Sequence, residues 1–219
     1  MAGLQLDKKF VSPKNKHKKM EVYDYITDIN TTPFYKIFTD TSGDTPNKIF
    51  VNDDWDAICL LDDISMFRDN DSNMSFLYQL FRLDMEDVYL VSCSGFVGPS
   101  YDSIKFHWAL TLYSLAFIID EENGQSLRVN YDGNLIYNNT ANWGCYHSTS
   151  AHFFIFCFSK KLKEQIIKIF KNNSLLLNKK DLLHFLNYYQ EDKEAFNATL
   201  IANNPWVNRL DEYYELLTK

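Results

Sequence analysis

The segment from Ala151 to Phe158 constrains the fold of this chain more than any other. Its sequence, Ala-His-Phe-Phe-Ile-Phe-Cys-Phe, places large apolar side chains at both odd and even positions. Successive side chains of a β-strand point to opposite faces of a sheet, so such a strand needs cover on both faces. We therefore predict that residues 151–158 form a buried, central strand with packing on each side.

Further β-rich segments are short and bounded by turn residues. Strands are predicted at Val88–Cys93, Ile104–Trp108 and Leu112–Ile119, with a shorter one at Lys48–Val51. A hairpin is predicted in which residues 127–131 pair with residues 135–137 across Asp132-Gly133, because glycine accepts the positive φ of a tight turn. Short strands joined in this way favour a mainly antiparallel sheet.

Helical periodicity dominates the end of the chain. Leu162, Ile166, Ile169 and Phe170 form one apolar stripe after Ser159, a suitable N-cap. Two more helices are predicted at Asp181–Tyr189 and Pro205–Leu217, another from Asn73 through Phe81, and a short one ending near Thr31-Thr32-Pro33. The predicted fold class is α+β: a mainly antiparallel central sheet with helices, and a helical C-terminal third.

Charge and composition suggest how the chain is organised. Of the net charge of −7, the first 20 residues contribute +5, from six lysines and one aspartate, and the remainder −12. We expect residues 1–19 to be a basic, flexible arm that is solvated rather than bound to nucleic acid, and residues 20–219 to form a single α+β domain. Without a secretory signal or an apolar run long enough to cross a bilayer, we expect a cytoplasmic protein with no membrane partner.

An acidic stretch is the main candidate for partner binding. Residues 53–71 contain seven aspartates and a single basic residue, Arg68. Aspartates that share a face create a negative potential that steers basic proteins towards it. The predicted partner-binding residues are Asp53, Asp54, Asp56, Asp62 and Asp63. The alternative is a solvated face with several turn-forming aspartates.

A cysteine and histidine patch offers a second kind of chemistry. Cys145 lies close in sequence to His147 and His152, and a neighbouring imidazole can activate a thiol as a nucleophile. Adding Cys157 makes a set of zinc-type ligands, but His152 and Cys157 would point to opposite faces of one strand, so we predict no metal site.

These features lead to two main functional hypotheses, and binding of a nucleic-acid backbone by the basic arm is a third, less favoured one. Phosphate-binding glycine loops, nucleophile elbows and dinucleotide-binding patterns are absent from the sequence, and no cofactor is predicted. The first hypothesis is a non-enzymatic cytoplasmic protein-binding module, such as a bacterial immunity protein that neutralises a toxin, which captures a basic protein through its acidic face. The alternative is a small cysteine-dependent hydrolase or transferase that uses Cys145 with His147 or His152.

Overall fold

An eight-stranded sheet forms the centre of the structure. The computed structural model describes residues 23–39, 48–61, 79–92, 103–108, 134–148, 153–187 and 190–219. The strands are β1 (Tyr23–Tyr25), β2 (Asp56–Leu61), β3 (Val88–Ser92), β4 (Ile104–Phe106), β5 (Asn134–Asn138), β6 (Trp143–Ser148), β7 (Phe153–Phe158) and β8 (Leu176–Leu177). Their order is β1-β4-β3-β5-β6-β7-β2-β8, and every described pair is antiparallel. The predicted α+β class is confirmed.

Strand β7 occupies the interior position that its sequence predicts. All six residues are buried, and the strand pairs with β6 on one edge and β2 on the other. Its even-numbered phenylalanines enter one hydrophobic core, and its odd-numbered residues enter a second core on the opposite face. The prediction of cover on both faces is confirmed.

The two cores have different covers. The core on one face of the sheet, which we call the α1 core, is covered by helix α1 (Lys163–Phe170), which packs through Ile166 and Phe170. The core on the other face, which we call the Phe38 core, is covered by the segments around Phe38 and Phe50 and by Trp206. Because each core takes alternate residues from the same strands, a one-residue slip in register would exchange their contents.

The C-terminal third is mainly helical, as predicted. A 3-10 turn at Lys160–Leu162 leads into α1, and α2 (Lys179–Leu186), α3 (Lys193–Asn203) and α4 (Leu210–Thr218) follow, with a 3-10 segment at Pro205–Arg209 before α4. Ser159 is the N-cap of the first turn, but its side chain makes no capping hydrogen bond. Helix α3 was not predicted, since Leu200 is its only fully buried residue and its apolar stripe is weak.

The pairing of β5 differs from the predicted hairpin. Strand β5 pairs with β3 on one edge and β6 on the other, so both edges are occupied along residues 134–137. A tight connection joins β5 to β6, and Ala141 adopts a positive φ of 55° within it. Asp84 stabilises it by accepting hydrogen bonds of 2.8 Å from both Asn138 and Thr140. The predicted partner segment, residues 127–131, lies outside the described residues.

Other local predictions are confirmed only in part. Strands β3 and β4 lie where the sequence predicts them, whereas the predicted strand Leu112–Ile119 lies outside the described residues. The short helix near Thr32 is a 3-10 turn at Ile29–Thr31, and the strand at Lys48–Val51 is reduced to one bridge between Phe38 and Phe50. Residues 79–81 are helical, but the rest of that predicted helix and the basic arm are outside the described ranges. None of the described helices has the length and apolarity needed to cross a bilayer.

Gly144 on β6 marks the closest approach between the sheet and its cover. A Cβ atom added there would lie 2.5 Å from Ile37 Cγ2 and 2.9 Å from Phe38 Cζ. Both neighbours are fully buried, so neither can move into open space. The sequence therefore needs glycine at this position for steric reasons, to let the Phe38 core close on the sheet.

We expect Gly144→Ala to lower the free energy of unfolding by about 1–3 kcal/mol, the usual cost of overpacking a core. Urea denaturation followed by circular dichroism measures the change. Gln165→Ala, on the exposed face of α1, is the control and should change stability by less than about 0.5 kcal/mol. Equal stability of the glycine variant and the wild type would contradict the close contact.

Candidate functional site

Strand β2 lies within the acidic stretch. Strand β2 begins at Asp56 and ends at Leu61, so it runs through the middle of the stretch. Asp53 and Asp54 precede the strand and are exposed, whereas Asp62 and Asp63 follow it in sequence and lie outside the described residues. A six-residue strand is about 20 Å long. Asp53 and Asp54 therefore lie at one end of β2, a strand length away from Leu61.

Asp56 is an internal residue, and its prediction as part of an exposed acidic face was wrong. It is 6% exposed; one carboxylate oxygen lies 3.1 Å from Arg209 Nε, and the other accepts a 2.7 Å hydrogen bond from the Tyr213 hydroxyl. A buried carboxylate requires such partners to offset its lost hydration. We call Asp56, Arg209 and Tyr213 the Asp56 cluster.

The Asp56 cluster connects the sheet to the C-terminal helices. Arg209 ends the 3-10 segment before α4, and Tyr213 lies one turn into that helix. The Arg209 guanidinium also donates hydrogen bonds to the backbone carbonyls of Asp53, at 2.8 Å, and of Trp55. One side chain thus holds both the first residue of β2 and the loop that precedes it.

Burial of the Tyr213 hydroxyl, together with its hydrogen bond to the Asp56 carboxylate, raises the pKa of the phenol well above its usual value. Burial likewise raises the pKa of Tyr137, whose hydroxyl lies 2.8 Å from Thr32 Oγ1. A phenol that holds its proton more tightly when folded stabilises the protein most below its unfolded pKa of about 10. That contribution is lost as the pH rises towards the folded pKa.

We expect Tyr213→Phe to lower the free energy of unfolding at pH 7 by about 1–3 kcal/mol, because Asp56 loses a buried hydrogen bond. The wild type should lose stability as the pH rises above about 10, and the variant should lose less over the same range. Denaturant titrations from neutral to alkaline pH test both points. Tyr214→Phe, at the adjacent half-buried position, is the matched control, and an equal effect of the two substitutions would contradict the role of the cluster.

A second feature lies next to the Asp56 cluster on the surface. Tyr35 is 53% exposed and Val51 39% exposed, which makes them two of the four exposed large hydrophobic residues among the described ones. The Val51 amide donates to the Ile37 carbonyl at 2.8 Å, so the segments that carry the two side chains are neighbours. Together with Asp53 and Asp54, they form what we call the Tyr35 surface.

The two aspartates of the Tyr35 surface differ electrostatically. Asp53 pairs with Lys48 at 2.8 Å, and both side chains are solvated, so this pair contributes little to stability. Asp54 is exposed and forms no ion pair or side-chain hydrogen bond with any described residue. The Asp54 carboxylate is thus available to an external cation.

Cys145 and His147 are buried inside the α1 core rather than placed at a surface. They are two residues apart on β6, which puts both side chains on the same face of the sheet, and they are 2% and 1% exposed. The His147 ring stacks on Phe154 with ring centroids 4.1 Å apart, and Cys145 lies opposite Phe156 in the strand register. His152 lies outside the described residues. A substrate could reach this thiol only if the core opened.

The zinc ligand set is divided by the sheet. Cys145 belongs to the α1 core and Cys157 to the Phe38 core, so their side chains leave opposite faces. Within the described ranges, no group of three or more His, Cys, Asp or Glu side chains is placed to hold a metal ion. Burial also raises the pKa of the Cys59 and Cys157 thiols, which disfavours the thiolate that a metal or a nucleophilic reaction needs.

We expect Cys59, Cys145 and Cys157 to react with iodoacetamide at least about 100-fold more slowly in the folded protein than in denaturant, because alkylation requires the core to open. Peptide mass spectrometry after timed quenching gives the rate at each thiol. The denatured protein serves as the internal control. Rapid alkylation of Cys145 alone near neutral pH would instead favour the cysteine-dependent enzyme.

Comparison with known proteins does not assign the chain to a family. No protein-family model matches the sequence, and no curated protein or solved structure is significantly similar to it.

Several residues of these sites were not predicted from the sequence. Tyr35 lies among apolar neighbours, and nothing in its local pattern separates it from the buried Phe34 and Phe38. Arg209 is separated from Asp56 by more than 150 positions, so its ion pair depends entirely on the tertiary fold. The signal that could have revealed Asp56 as buried is the apolar run Ala57–Leu61, which directly follows it and forms β2.

Proposed function

We propose that this protein is a non-enzymatic binding module that captures a basic partner protein through the Tyr35 surface. The observation that carries the proposal is the combination of an exposed aromatic side chain, Tyr35, with the exposed carboxylate of Asp54, which pairs with no described residue, on adjoining segments. Tyrosine is enriched at the energetic centres of protein interfaces. A carboxylate on the neighbouring segment favours lysine or arginine in the partner.

The backbone beneath this surface is held in place by several contacts. Asn52 Nδ2 donates to the Lys36 carbonyl at 2.9 Å, Val51 is bonded to Ile37, and Arg209 is bonded to the carbonyls of Asp53 and Trp55. A surface that is already ordered loses less conformational entropy on binding. This rigidity favours a recognition role for exposed side chains that would otherwise be ordinary loop residues.

The overall acidity of the chain supports the same class of partner. The net charge is −7, and a negative protein speeds its encounter with a positive one, most strongly at low salt. A bacterial immunity protein that neutralises a basic toxin works in this way, and we propose a toxin of this kind as the partner. With Asp56 engaged inside the fold, Asp53 and Asp54 remain as the described aspartates of the proposed contact.

The test begins with isolation of the partner at low salt from the cell that makes the protein, followed by affinity measurement with purified components. We expect Tyr35→Ala to weaken binding by at least about tenfold, because truncation of an aromatic anchor commonly costs that much. Asp54→Asn should weaken binding and reduce its salt dependence, since one charged contact is lost.

Met85→Ala is the matched control, because Met85 is the most exposed large hydrophobic residue described and lies outside the Tyr35 surface. It should leave the affinity unchanged. Circular dichroism should show that all three variants are folded. A partner that is acidic, or binding that is indifferent to both Tyr35→Ala and Asp54→Asn, would contradict the proposal.

A further inference from the structure

A groove lined mainly by polar and charged residues lies between the C-terminal helices, away from the Tyr35 surface. Its volume is about 480 Å³, within the range of small-molecule sites. Helices α2 and α3 supply most of its walls, and the first turn of α4 supplies one residue. The lining consists of Lys179, Lys180, Leu183, His184, Asn187, Lys193, Asn197 and Asp211.

The charge of the groove lining is positive. Three lysines face a single carboxylate, Asp211, and that carboxylate already accepts the Lys179 backbone N–H at 2.9 Å. The Lys179 ammonium donates to Asn208 Oδ1 at 2.7 Å. Lys180 and Lys193 form no ion pair or side-chain hydrogen bond with any described residue. Their two ammonium groups are available to a ligand.

The groove also presents amide groups that are partly buried. Asn187 is only 8% exposed, yet it lines the groove, and its Nδ2 donates to Asn197 Oδ1 at 3.2 Å. The Asn187 side-chain oxygen accepts no hydrogen bond from a described residue. Neutral amides of this kind fix the orientation of a ligand whose charge is held by lysines.

The positions of the cations set the length of ligand that fits. Lys180 is in the first turn of α2 and Asn187 directly follows its last residue, a rise of about 10 Å along the helix axis. Lys193 is one turn before Asn197 on α3, and therefore lies near the Asn187 end. Positive groups at both ends, with Leu183 between them and the amides at the Lys193 end, suit a molecule with separated anionic groups.

The lysines occupy helix positions that are unfavourable by themselves. Lys179 and Lys180 open α2, and Lys193 opens α3, where the helix dipole disfavours positive charge. Asp192 and Glu194 flank Lys193 in sequence, and Asp181 lies in the first turn of α2, so carboxylates already reduce part of this cost at both helix starts. An anion bound by the Lys180 and Lys193 side chains would offset the remaining cost.

We propose that the groove between α2 and α3 binds a small organic polyanion of about nucleotide size, with its anionic groups on Lys180 and Lys193. Phosphates and carboxylates share the chemistry that these ammonium groups recognise. This site is independent of the Tyr35 surface, because the two share no residue. Substitutions that abolish binding at one site should therefore leave binding at the other unchanged.

The experiment uses the full chain and isothermal titration calorimetry at low salt, with ATP, citrate and adenosine as probes. We expect ATP or citrate to bind and neutral adenosine to bind at least about tenfold more weakly, because adenosine lacks the charge that the lysines recognise. The double variant Lys180→Ala/Lys193→Ala should weaken polyanion binding by about tenfold or more, since two charged contacts are removed.

Lys161→Ala is the matched control, because Lys161 is exposed near α1 and does not line the groove. It should change the affinity by less than about twofold, as expected for a distant exposed charge. ATP binding without citrate binding would assign the site to phosphates, and the reverse to carboxylates. The proposal would be overturned if neither anion binds or if adenosine binds as tightly as the anions. It would also be overturned if Lys161→Ala weakens binding as much as the double variant does.

Discussion

The burial of β7 on both faces is the constraint on which the rest of the structure depends. Its phenylalanines at 154, 156 and 158 need one cover, and the residues between them need another, so the chain must build two cores on a single sheet. Helix α1 supplies the first cover, and the segments around Phe38 and Phe50 supply the second. Gly144 shows how closely the second cover approaches, since β6 has no room there for a side chain.

This two-core arrangement buries several residues that the sequence analysis named as candidate functional groups. Cys145, His147 and Cys157 lie on the strands that the cores enclose, so their side chains serve as packing groups. Asp56 is likewise buried at the first position of β2, where Arg209 compensates its charge and the Tyr213 hydroxyl donates a hydrogen bond to it. Groups that would be reactive in water are here insulated from it, and the surfaces available for recognition lie elsewhere.

The two proposed recognition sites differ in physical character. The Tyr35 surface is formed by short segments that Arg209 and backbone hydrogen bonds hold to the body of the fold, and it presents an aromatic ring and a carboxylate on neighbouring segments. The groove between α2 and α3 is concave and positive, and its asparagines can orient a small ligand. A protein that is acidic overall can thus combine a contact for a basic partner with a separate anion site.

The sequence by itself determined the elements whose side chains repeat with a clear period. These are the central strand β7, strands β3 and β4, and the amphipathic stripe of α1, because period and burial express the same local pattern. Only the tertiary structure decided which strand lies beside β5 and what pairs with Asp56. Strand pairing depends on which edges are free once the sheet assembles, and the charge of Asp56 is compensated by Arg209, which is remote in sequence. Local periodicity contains neither kind of information.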